Sequence, residues 1–595
     1  MAGKSTLDND GVLWIRIHGE EGELPDLPLL SVTIRRAFNR IAWAELVIQD
    51  GDMATGKFEQ GDSPRFAPGA AIRIDAGYGN EQDTLFSGIV VRFGVNIDGG
   101  GHARLVVECR DAAVKMTLGR YNANFLKKKD SDIISSLIGK YGLDAEVAAT
   151  QQEHGELVQY NASDWDFMLA RAEFNGMLVD AANGKIRVRP PGDMTRDTGL
   201  ALAWGRDLYE FHADIDARRQ CAAISATAWN SGEQAIVTGG QAAPVKLNAQ
   251  GDLDGETLAR VASPDELMLR TPTQQDKAAL STWASAAQTR AELARVRGRL
   301  ACMGMPAKPG DLLAVEGVGA RFAGDIFVSA VEHSLAGGDW QTDIEFGLDP
   351  DWHMTRDDIA APAASGLLPG VGGLQIGIVV KLDGDPQEAQ RIQIKLPVTQ
   401  AQTEGIWARL IQFYASDGIG AYFLPEPGDE VIVGYLNDDP CHPVVLGAVY
   451  SAKRKPPYEI EAANDTKAIV TRAKHKIEFN EKDKILTITT PGDNRVVFDD
   501  KDKSILVKDQ HDNRVKLSSD GIALDSQADI TIRAKGKIAL TANADITLKA
   551  QANVKAEGLN ISCEAQIGFT GKGSATSELS STGQTTVKGG MVMIN

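Results

Sequence analysis

Hydrophobic and polar residues alternate over long stretches of this chain, and such alternation predicts strands with one buried and one exposed face. Residues 12–110 hold six alternating segments between Gly, Asp and Pro breaks. The six segments read VLWIRIHG, LLSVTIRRAF, WAELVIQD, AAIRIDAGY, TLFSGIVVRFGVNI and ARLVVECRD. We therefore predict a mainly β fold whose N-terminal part, residues 1–360, has an α+β character.

Helical spacing appears in three segments of that N-terminal part. The segment SDIISSLIGKYG starts at a Ser/Asp cap and ends near Gly142. In SDWDFMLARAEFNG, Ser163 is a candidate N-cap, Asp166 is its capping-box partner, and Gly176 follows the helix end. The segment QQDKAALSTWASAAQTRAELARVRG, residues 274–298, is amphipathic and predicts a third helix.

A change of composition at residues 361–373, APAASGLLPGVGG, predicts a linker. These glycines do not predict a dinucleotide-binding loop, because a strand pattern and not a helix follows them. Residues 374–452 contain about five short strand patterns, and a closed barrel is the usual way to remove sheet edges at that size. A charged connector, residues 453–474, leads to a repetitive region at residues 475–595.

An eight-residue repeat is most regular in residues 529–552, DITIRAKGKIALTANADITLKAQA. Positions 2 and 4 of each octad are apolar, position 6 is small, and the odd positions are largely polar, which predicts a strand with one face inside. The apolar set Leu559, Ile561 and Cys563 falls on odd positions, so we expect the phase to slip near Gly558.

Eight residues are too few to close a three-sided coil within one chain, since a residue advances only ~3.3 Å along a strand. A two-sided calcium roll needs Gly-Gly-x-Gly-x-Asp nonapeptides, which this region lacks. We therefore predict a prism built by three identical chains, with a loosely paired β tail as the alternative. The less regular alternating segment from His475 to Gly521 is predicted to form the wider base of the same prism. The residues predicted to line the trimer core are Ile530, Ile532, Ile538, Leu540, Ile546, Leu548 and Val554.

Composition supports this division of the chain. All nine tryptophans lie at or before Trp407, and after Phe498 only Phe569 is aromatic, so the C-terminal region has little bulk to fill a conventional core. A net charge of −19 argues against a nucleic-acid surface. The five cysteines form no C-x-x-C pair, which indicates free thiols and neither a disulfide framework nor a zinc site.

Motifs that carry chemistry are scarce in the sequence. No H-E-x-x-H, G-x-S-x-G or Walker loop occurs. His442 beside Cys441 offers only two metal ligands, too few for zinc, and His511 is either a turn residue or an axial ligand repeated in three copies. The segment QGDLDGETL, which begins at Gln250, lacks the closing glutamate of a calcium loop and predicts a turn. We expect no catalytic residue, no metal site and no cofactor.

The N-terminus lacks the apolar core of a signal peptide, and no stretch approaches membrane-spanning length. We therefore expect assembly in the cytoplasm without a signal peptide.

The order of these segments resembles one protein family. A β-rich N-terminal half, a small barrel with RIQIKLPV and LPEPGDEVIVGYLNDDPCHPVVLGAVY, and octads ending in GGMVMIN together resemble the VgrG spike proteins of type VI secretion and extracellular contractile injection systems. They are also similar to the hub-and-needle proteins of contractile phage baseplates. The segments LVVECRDAAVKMTLGRY and LVQYNASDWDFMLARAEFNGMLV look like the N-terminal hub of that family.

The resemblance implies a structural central spike that pierces the target envelope on sheath contraction. Residues 1–360 would form barrel-like hub domains, residues 374–452 an OB-fold barrel, and residues 475–595 a trimeric intertwined β-helical needle. The implied partners are two further copies of the chain, a hexameric inner tube protein, baseplate proteins, a PAAR-repeat tip protein and effector cargo, but no nucleic acid. The implied PAAR-binding residues are Gly590, Met591, Val592, Met593, Ile594 and Asn595.

Two departures from some relatives shape the expectation of a non-enzymatic protein. Only a short connector separates barrel and needle, where some phage relatives carry a lysozyme domain, and no effector domain follows the tip residues. The protein is expected in a phage tail-like particle, released or membrane-docked, and to enter the target on firing. A spike-borne cell-wall hydrolase and a trimeric fibre or adhesin are the alternative functions.

Overall fold

The protein is described by a computed structural model that covers residue 7 and residues 11–262, 264–399 and 404–594. The chain divides into two compact units, Met1–Val449 and Tyr450–Asn595. Strands dominate both units, so the predicted mainly β class is confirmed. No helix in the described ranges is both long enough and apolar enough to cross a membrane.

The first unit begins with twenty-one strands and four α-helices that precede the barrel. The strands are β1 Leu13–Gly19, β2 Gly22–Glu23, β3 Leu29–Ala37, β4 Trp43–Gln49, β5 Ala71–Tyr78, β6 Asp83–Ile97, β7 Ala103–Arg110, β8 Tyr121–Lys129, β9 Asp144–Val147, β10 Glu153–Ala162, β11 Leu178–Ala182, β12 Lys185–Arg189, β13 Arg196–Ala203, β14 Leu208–Ile215, β15 Ile224–Asn230, β16 Ala235–Thr238, β17 Leu267–Thr271, β18 Val296–Met303, β19 Asp311–Glu316, β20 Gly324–Ala336 and β21 Asp339–Phe346. The helices are α1 Asp130–Gly139, α2 Asp164–Phe174, α3 Gly255–Ala262 and α4 Lys277–Leu293.

A 13-stranded sheet forms the framework of this unit. Its strand order is β14-β18-β21-β20-β3-β4-β7-β6-β5-β1-β2, with β19 paired to β20 and β13 paired to β19. The alternation in the sequence becomes alternating burial: Ala44, Leu46 and Ile48 on β4 are fully buried, while the residues between them are half-buried. The core of this sheet is therefore closed within one chain.

The helices pack on three smaller sheets: α1 contacts β8 and β9, α2 contacts β10 and β11, and α4 contacts β15 and β16. The Ser163 hydroxyl accepts a hydrogen bond from the Asp166 backbone N–H at 3.0 Å, which confirms Ser163 as the N-cap of α2. Asp166 is its partner through a different bond from that of a capping box, because its carboxylate accepts the Ser163 hydroxyl at 2.5 Å. The third predicted helix, residues 274–298, is shorter: α4 ends at Leu293, and its last predicted residues begin strand β18 instead. Tertiary pairing of β18 with β14 and β21 overrides the helical spacing there.

A closed five-stranded barrel follows, and the predicted OB-fold barrel is confirmed. Its wall order is β22-β23-β24-β28-β27, around a core that includes Val379, Ile394 and Val433. Part of the predicted linker at 361–373 packs on this barrel, because the Val371 N–H donates to the Asp438 carbonyl. The strands are β22 Gln375–Lys381, β23 Ile392–Lys395, β24 Ile406–Leu410, β25 Ala415–Ser416, β26 Ile419–Gly420, β27 Glu430–Tyr435 and β28 Pro443–Ala448.

The second unit contains a seven-stranded antiparallel sheet in which sequential strands are neighbours, here called the meander. Its first strand lies inside the predicted connector at 453–474, so the regular structure starts earlier than the predicted needle boundary. After residue 525 the described residues form no strand within the chain. The strands are β29 Thr466–Val470, β30 Lys476–Asn480, β31 Ile485–Thr489, β32 Arg495–Asp499, β33 Ser504–Lys508, β34 Arg514–Ser518 and β35 Gly521–Asp525.

Candidate functional site

One face of the meander carries two continuous rows of apolar side chains. Strand register places the members of each row directly opposite one another, and residues two apart on a strand, such as Ile477 and Phe479, share a face. The first row is Ile469, Ile477, Ile488, Val496, Val507, Val515 and Leu524. The second row is Phe479, Leu486, Phe498, Ile505, Leu517 and Ile522.

Much of this apolar face is uncovered in the single chain. Phe498 is 41% exposed and Leu524 is 59% exposed, although both lie in paired strands. A groove of about 480 Å³ runs along the first row and continues to Ile530, the first residue of the predicted trimer core. Covering apolar surface stabilises a protein by about 25 cal/mol per Å². The meander therefore presents a surface that gains free energy from a partner.

Residues 526–594, here called the octad segment, show the predicted period directly in their backbone. The chain bends at 527–528, 535–536, 543–544 and 551–552, which are steps of eight residues. Between bends it is extended, yet among the described residues 529–594 no backbone N–H donates to a backbone carbonyl. Unpaired backbone groups are costly unless water or another chain satisfies them. The backbone groups of the octad segment therefore have no backbone partner among the described residues of the segment.

The residues predicted to line the trimer core occupy equivalent places in successive courses. Ile530, Ile538, Ile546 and Val554 each lie two residues after a bend. The single chain does not bring these side chains together, and the exposed fraction of the predicted core residues ranges from 54% to 72%. The full set is Ile530, Ile532, Ile538, Leu540, Ile546, Leu548 and Val554.

The phase slip expected near Gly558 is present. Later bends lie at residue 559 and then at 566–567, 574–575 and 582–583, so the course 553–559 has seven residues and the following courses have eight. Ile567 stands in the next bend, 566–567, and is fully exposed. The shorter course restores apolar residues to equivalent places after the shift.

The predicted tip residues form the end of the described chain. A last bend at 590–591 contains Gly590, and no atom lies within 4 Å of the position a Cβ would take there. The exposed fractions of the next four side chains range from 49% to 91%, and none of them is charged. Asn595 lies outside the described residues. The four exposed side chains are Met591, Val592, Met593 and Ile594.

The histidines considered in the sequence are turn residues. Nδ1 of His442 lies 2.9 Å from the Asp439 carboxylate, which also accepts a hydrogen bond from the Cys441 backbone N–H. The hydrogen bond from Cys441 holds the pKa of Asp439 below its ordinary value, and burial opposes it with a smaller effect. The His511 N–H donates to Asp509 in a meander turn. Within the described ranges no group of three His, Cys, Asp or Glu side chains could hold a metal ion.

The predicted calcium-loop look-alike has a structural role. The Asp254 carboxylate accepts the Thr257 N–H at 2.8 Å at the start of α3, and Asp252 pairs with Arg321. A turn was predicted there, and the structure has a turn followed by a short helix.

The meander segment was predicted to form the base of the prism, but the residues of its two apolar rows were not predicted as candidate binding residues. Their alternation was visible in the segment from His475 onward. What the sequence did not provide was the register that aligns one apolar residue from each of the seven strands.

Two protein families match this chain. Residues 11–337 match the Alg8 N-terminal domain, and residues 375–450 match the Type VI secretion system/phage-baseplate injector OB domain. The second match coincides with the closed barrel.

Curated relatives are spike proteins or carry a spike-family name. The actin cross-linking toxin VgrG1 of Vibrio cholerae is 33% identical over 121 residues, which cover 19% of this chain and 11% of that protein. The type VI secretion system spike protein VgrG1c of Pseudomonas aeruginosa is 29% identical over 130 residues, which cover 20% of this chain and 18% of that protein. The matched part is thus less than a fifth of either relative's length.

Solved structures with a similar fold include two tail-related proteins. A 43 kDa tail protein of a Shewanella oneidensis prophage has a TM-score of 0.44 at 11% identity and covers 57% of this chain and 98% of its own. An E. coli component of the type VI secretion system has a TM-score of 0.37 at 12% identity, with 73% and 99% covered. Likenesses this distant carry no functional argument.

Proposed function

This chain belongs to the VgrG family of spike proteins and has an Alg8 N-terminal domain at residues 11–337, and from that premise we propose that three copies form the central spike of a contractile injection machine. The observation that carries the proposal is the octad segment, which is periodic and extended but has no backbone partners in its own described residues. Two further copies would supply both the missing hydrogen bonds and the cover for the apolar side chains.

Three copies suit the length of a course. An extended stretch of eight residues spans about 26 Å, which is enough for one wall and its corner but not for a closed coil. In a three-walled prism, the side chains two residues after each bend point from every wall towards one axis. Ile538 and Leu540 of each copy would then share a dry core, while Lys537 and Thr541 face water.

The meander fits the same assembly as its broader base. Its apolar rows end at Ile522 and Leu524, immediately before the octad segment begins, and the groove along them reaches Ile530. One continuous apolar surface thus runs from paired strands into unpaired courses. A trimer that covers the octads would cover the rows as well.

We propose that the tip binds a PAAR-repeat protein. Residues 590–594 form an exposed and uncharged end, which is suited to docking a second apolar surface because no charge has to be desolvated. The first unit is proposed to bridge this trimer to a hexameric inner tube and to baseplate proteins, with effectors as cargo. The work of the spike is mechanical: sheath contraction drives it forward, and the narrow end concentrates force on the target envelope.

The test begins with the mass of the full chain in solution. We expect a trimer, and a monomer at micromolar concentration would overturn the proposal.

Deletion of residues 585–595 is expected to abolish binding of a PAAR-repeat protein while leaving the trimer intact. Met593→Asp should weaken that binding strongly, whereas Thr586→Asp, an exposed polar site before the last bend, should not.

The same samples discriminate between the alternative functions. A fibre or adhesin would bind a cell-surface receptor through its C-terminal end and would show no affinity for tube or PAAR-repeat proteins. A cell-wall hydrolase would release fragments from purified peptidoglycan, and we expect none. PAAR binding that survives the deletion would show that the tip has been placed wrongly.

A further inference from the structure

A cleft of about 500 Å³ lies in the first unit beside the turn between β3 and β4, and four arginines line it. This concentration of positive charge is unusual for a chain with a net charge of −19. Two of the arginines are paired with glutamates of the same sheet. Arg35 donates to Glu345 at 2.7 Å, and Arg110 donates to Glu108 at 2.6 Å.

The other two arginines, Arg40 and Arg356, have no such partner. Within the described part of the chain, neither guanidinium makes an ion pair or a side-chain hydrogen bond. Both residues are exposed at the rim of the cleft. An exposed guanidinium is normally hydrated and does not by itself indicate a binding site. A binding site requires that the backbone holds Arg40 and Arg356 in fixed places.

The backbone under Arg40 is pinned. Asn39 lies in the left-handed region, with φ of 59°, and bonds strand β11 twice. Its N–H donates to the Val179 carbonyl at 2.7 Å, and its side-chain oxygen accepts the Val179 N–H at 2.9 Å. The next residue therefore leaves a turn that is fixed to the body of the unit.

The segment that carries Arg356 is clamped as well. The His353 N–H donates to Glu173 at 2.8 Å, and Nε2 of His353 lies 2.8 Å from Asp166. Arg120 donates to the Ile359 carbonyl at 2.7 Å on the other side of Arg356. Both ends of the segment are thus tied to α2 and its surroundings.

Electrostatics show that the positive charges disturb one another. Although Arg40 is exposed at the rim, the cleft walls remove part of its hydration, and this partial burial is the first cause that lowers its pKa. The charges of Arg356 and Arg35 lower it further, and Asp358 and Glu345 act in the opposite direction. Asp166 is committed elsewhere: burial alone would raise its pKa, but the hydrogen bonds from His353 and Ser163 hold that pKa below its ordinary value. An incoming anion would relieve the repulsion that the protein's own carboxylates leave uncompensated.

The chemistry of the cleft favours carboxylates over phosphates. Asp166 and Asp358 also line it, and these carboxylates would repel a multiply charged phosphate chain. Two unpaired guanidiniums match two single negative charges, each through a forked pair of N–H donors. Trp43 and the buried Trp165 form part of the wall and lower the local polarity, which strengthens such bonds.

We propose that this cleft binds an acidic segment of another polypeptide, with Arg40 and Arg356 each holding one carboxylate. The inference is independent of the trimeric needle, because every residue in it belongs to the first unit. It assigns the first unit a specific ionic contact to a partner protein in addition to any apolar one.

Fluorescence polarisation of a labelled hexaglutamate peptide with the full chain at low salt tests the proposal. We expect binding that weakens with added salt and falls at least about tenfold in Arg40→Gln/Arg356→Gln, because two charge-assisted pairs are lost. The matched control is Arg65→Gln/Arg270→Gln, which removes two exposed arginines outside the cleft and should bind like the native chain.

Charge reversal provides the second arm. Arg40→Glu/Arg356→Glu should lose hexaglutamate and gain hexalysine binding, provided that its circular dichroism matches the native chain. Failure of the native chain to bind hexaglutamate, or equal binding by the cleft and control variants, would overturn the proposal.

Discussion

The barrel and the octad segment use the same alternating pattern and reach opposite outcomes. In the barrel, Val379, Ile394 and Val433 are buried, because five strands of one chain close on themselves. In the octad segment, Ile538 and Leu540 are more than half exposed in one chain. Alternation thus specifies a strand with an inner face, but it does not specify which chain closes that face. The two regions differ in where their partners come from.

The largest effect is expected from a charge placed at the proposed axis. Leu540→Asp would bring three carboxylates together in a dry core, at a cost of several kcal/mol for each buried ion. We expect the trimer of the full chain to be lost in sedimentation equilibrium. Thr541→Asp, the adjacent polar position, should keep the native mass, and a trimeric Leu540→Asp variant would remove the proposed axis.

A cavity in the barrel should act on one chain only. Ile394 is fully buried, and Ile394→Ala is expected to lower the free energy of unfolding of the barrel by about 2–5 kcal/mol. The mass of the assembly should not change, since the barrel closes within the chain. Native-state hydrogen exchange of the barrel-strand amides measures the effect, and Val398→Ala, at an exposed site, is the control. Loss of the trimer in Ile394→Ala would contradict this separation.

A smaller effect is expected from pH on the first unit. Burial lowers the pKa of His333 from about 6.5 to about 3, and the ring lies between Thr342 and Trp340. Below about pH 6.5, His333 binds a proton in the unfolded chain but stays neutral in the folded chain. The stabilisation of the folded state that is present above pH 6.5 is therefore lost as pH falls. The loss is about 1 kcal/mol between pH 6.5 and 5.5.

The measurement is the unfolding free energy of the first unit across that pH range. His333→Gln should flatten the dependence whatever its effect at neutral pH, whereas His442→Gln at a surface turn should retain it. A His333→Gln variant with the native slope would assign the dependence to other groups.

Local chemistry was predictable from the sequence to a useful degree. The N-cap at Ser163 and the eight-residue course were predicted because each depends on neighbouring residues. The closed barrel was predicted from the number and length of its strand patterns, because closure removes sheet edges at that size. Long-range pairing was not predictable. Arg35 and Glu345 meet although they are 310 residues apart, and the same pairing of distant strands builds the cleft. Helical spacing at Val296 was overridden for the same reason.

The candidate sites show the same division. The octad core and the tip residues were predicted from periodicity and from a family resemblance, and their contacts in an assembly stay a prediction. The apolar rows of the meander needed the register of seven strands, which alternation alone leaves free by two-residue shifts. Arg40 and Arg356 carry no sequence signal, since an unpaired arginine is recognised only when its surroundings are known.

The seven-residue course at 553–559 has a consequence for how copies align. Eight-residue courses are interchangeable, so three chains built only from them could align as well after a slide of one whole repeat. A single shorter course removes that freedom, because a displaced chain would set seven residues against eight in two of its courses. In the proposed trimer the irregular course therefore fixes the register of the three chains. As a result, their three C-terminal segments lie at the same level along the axis.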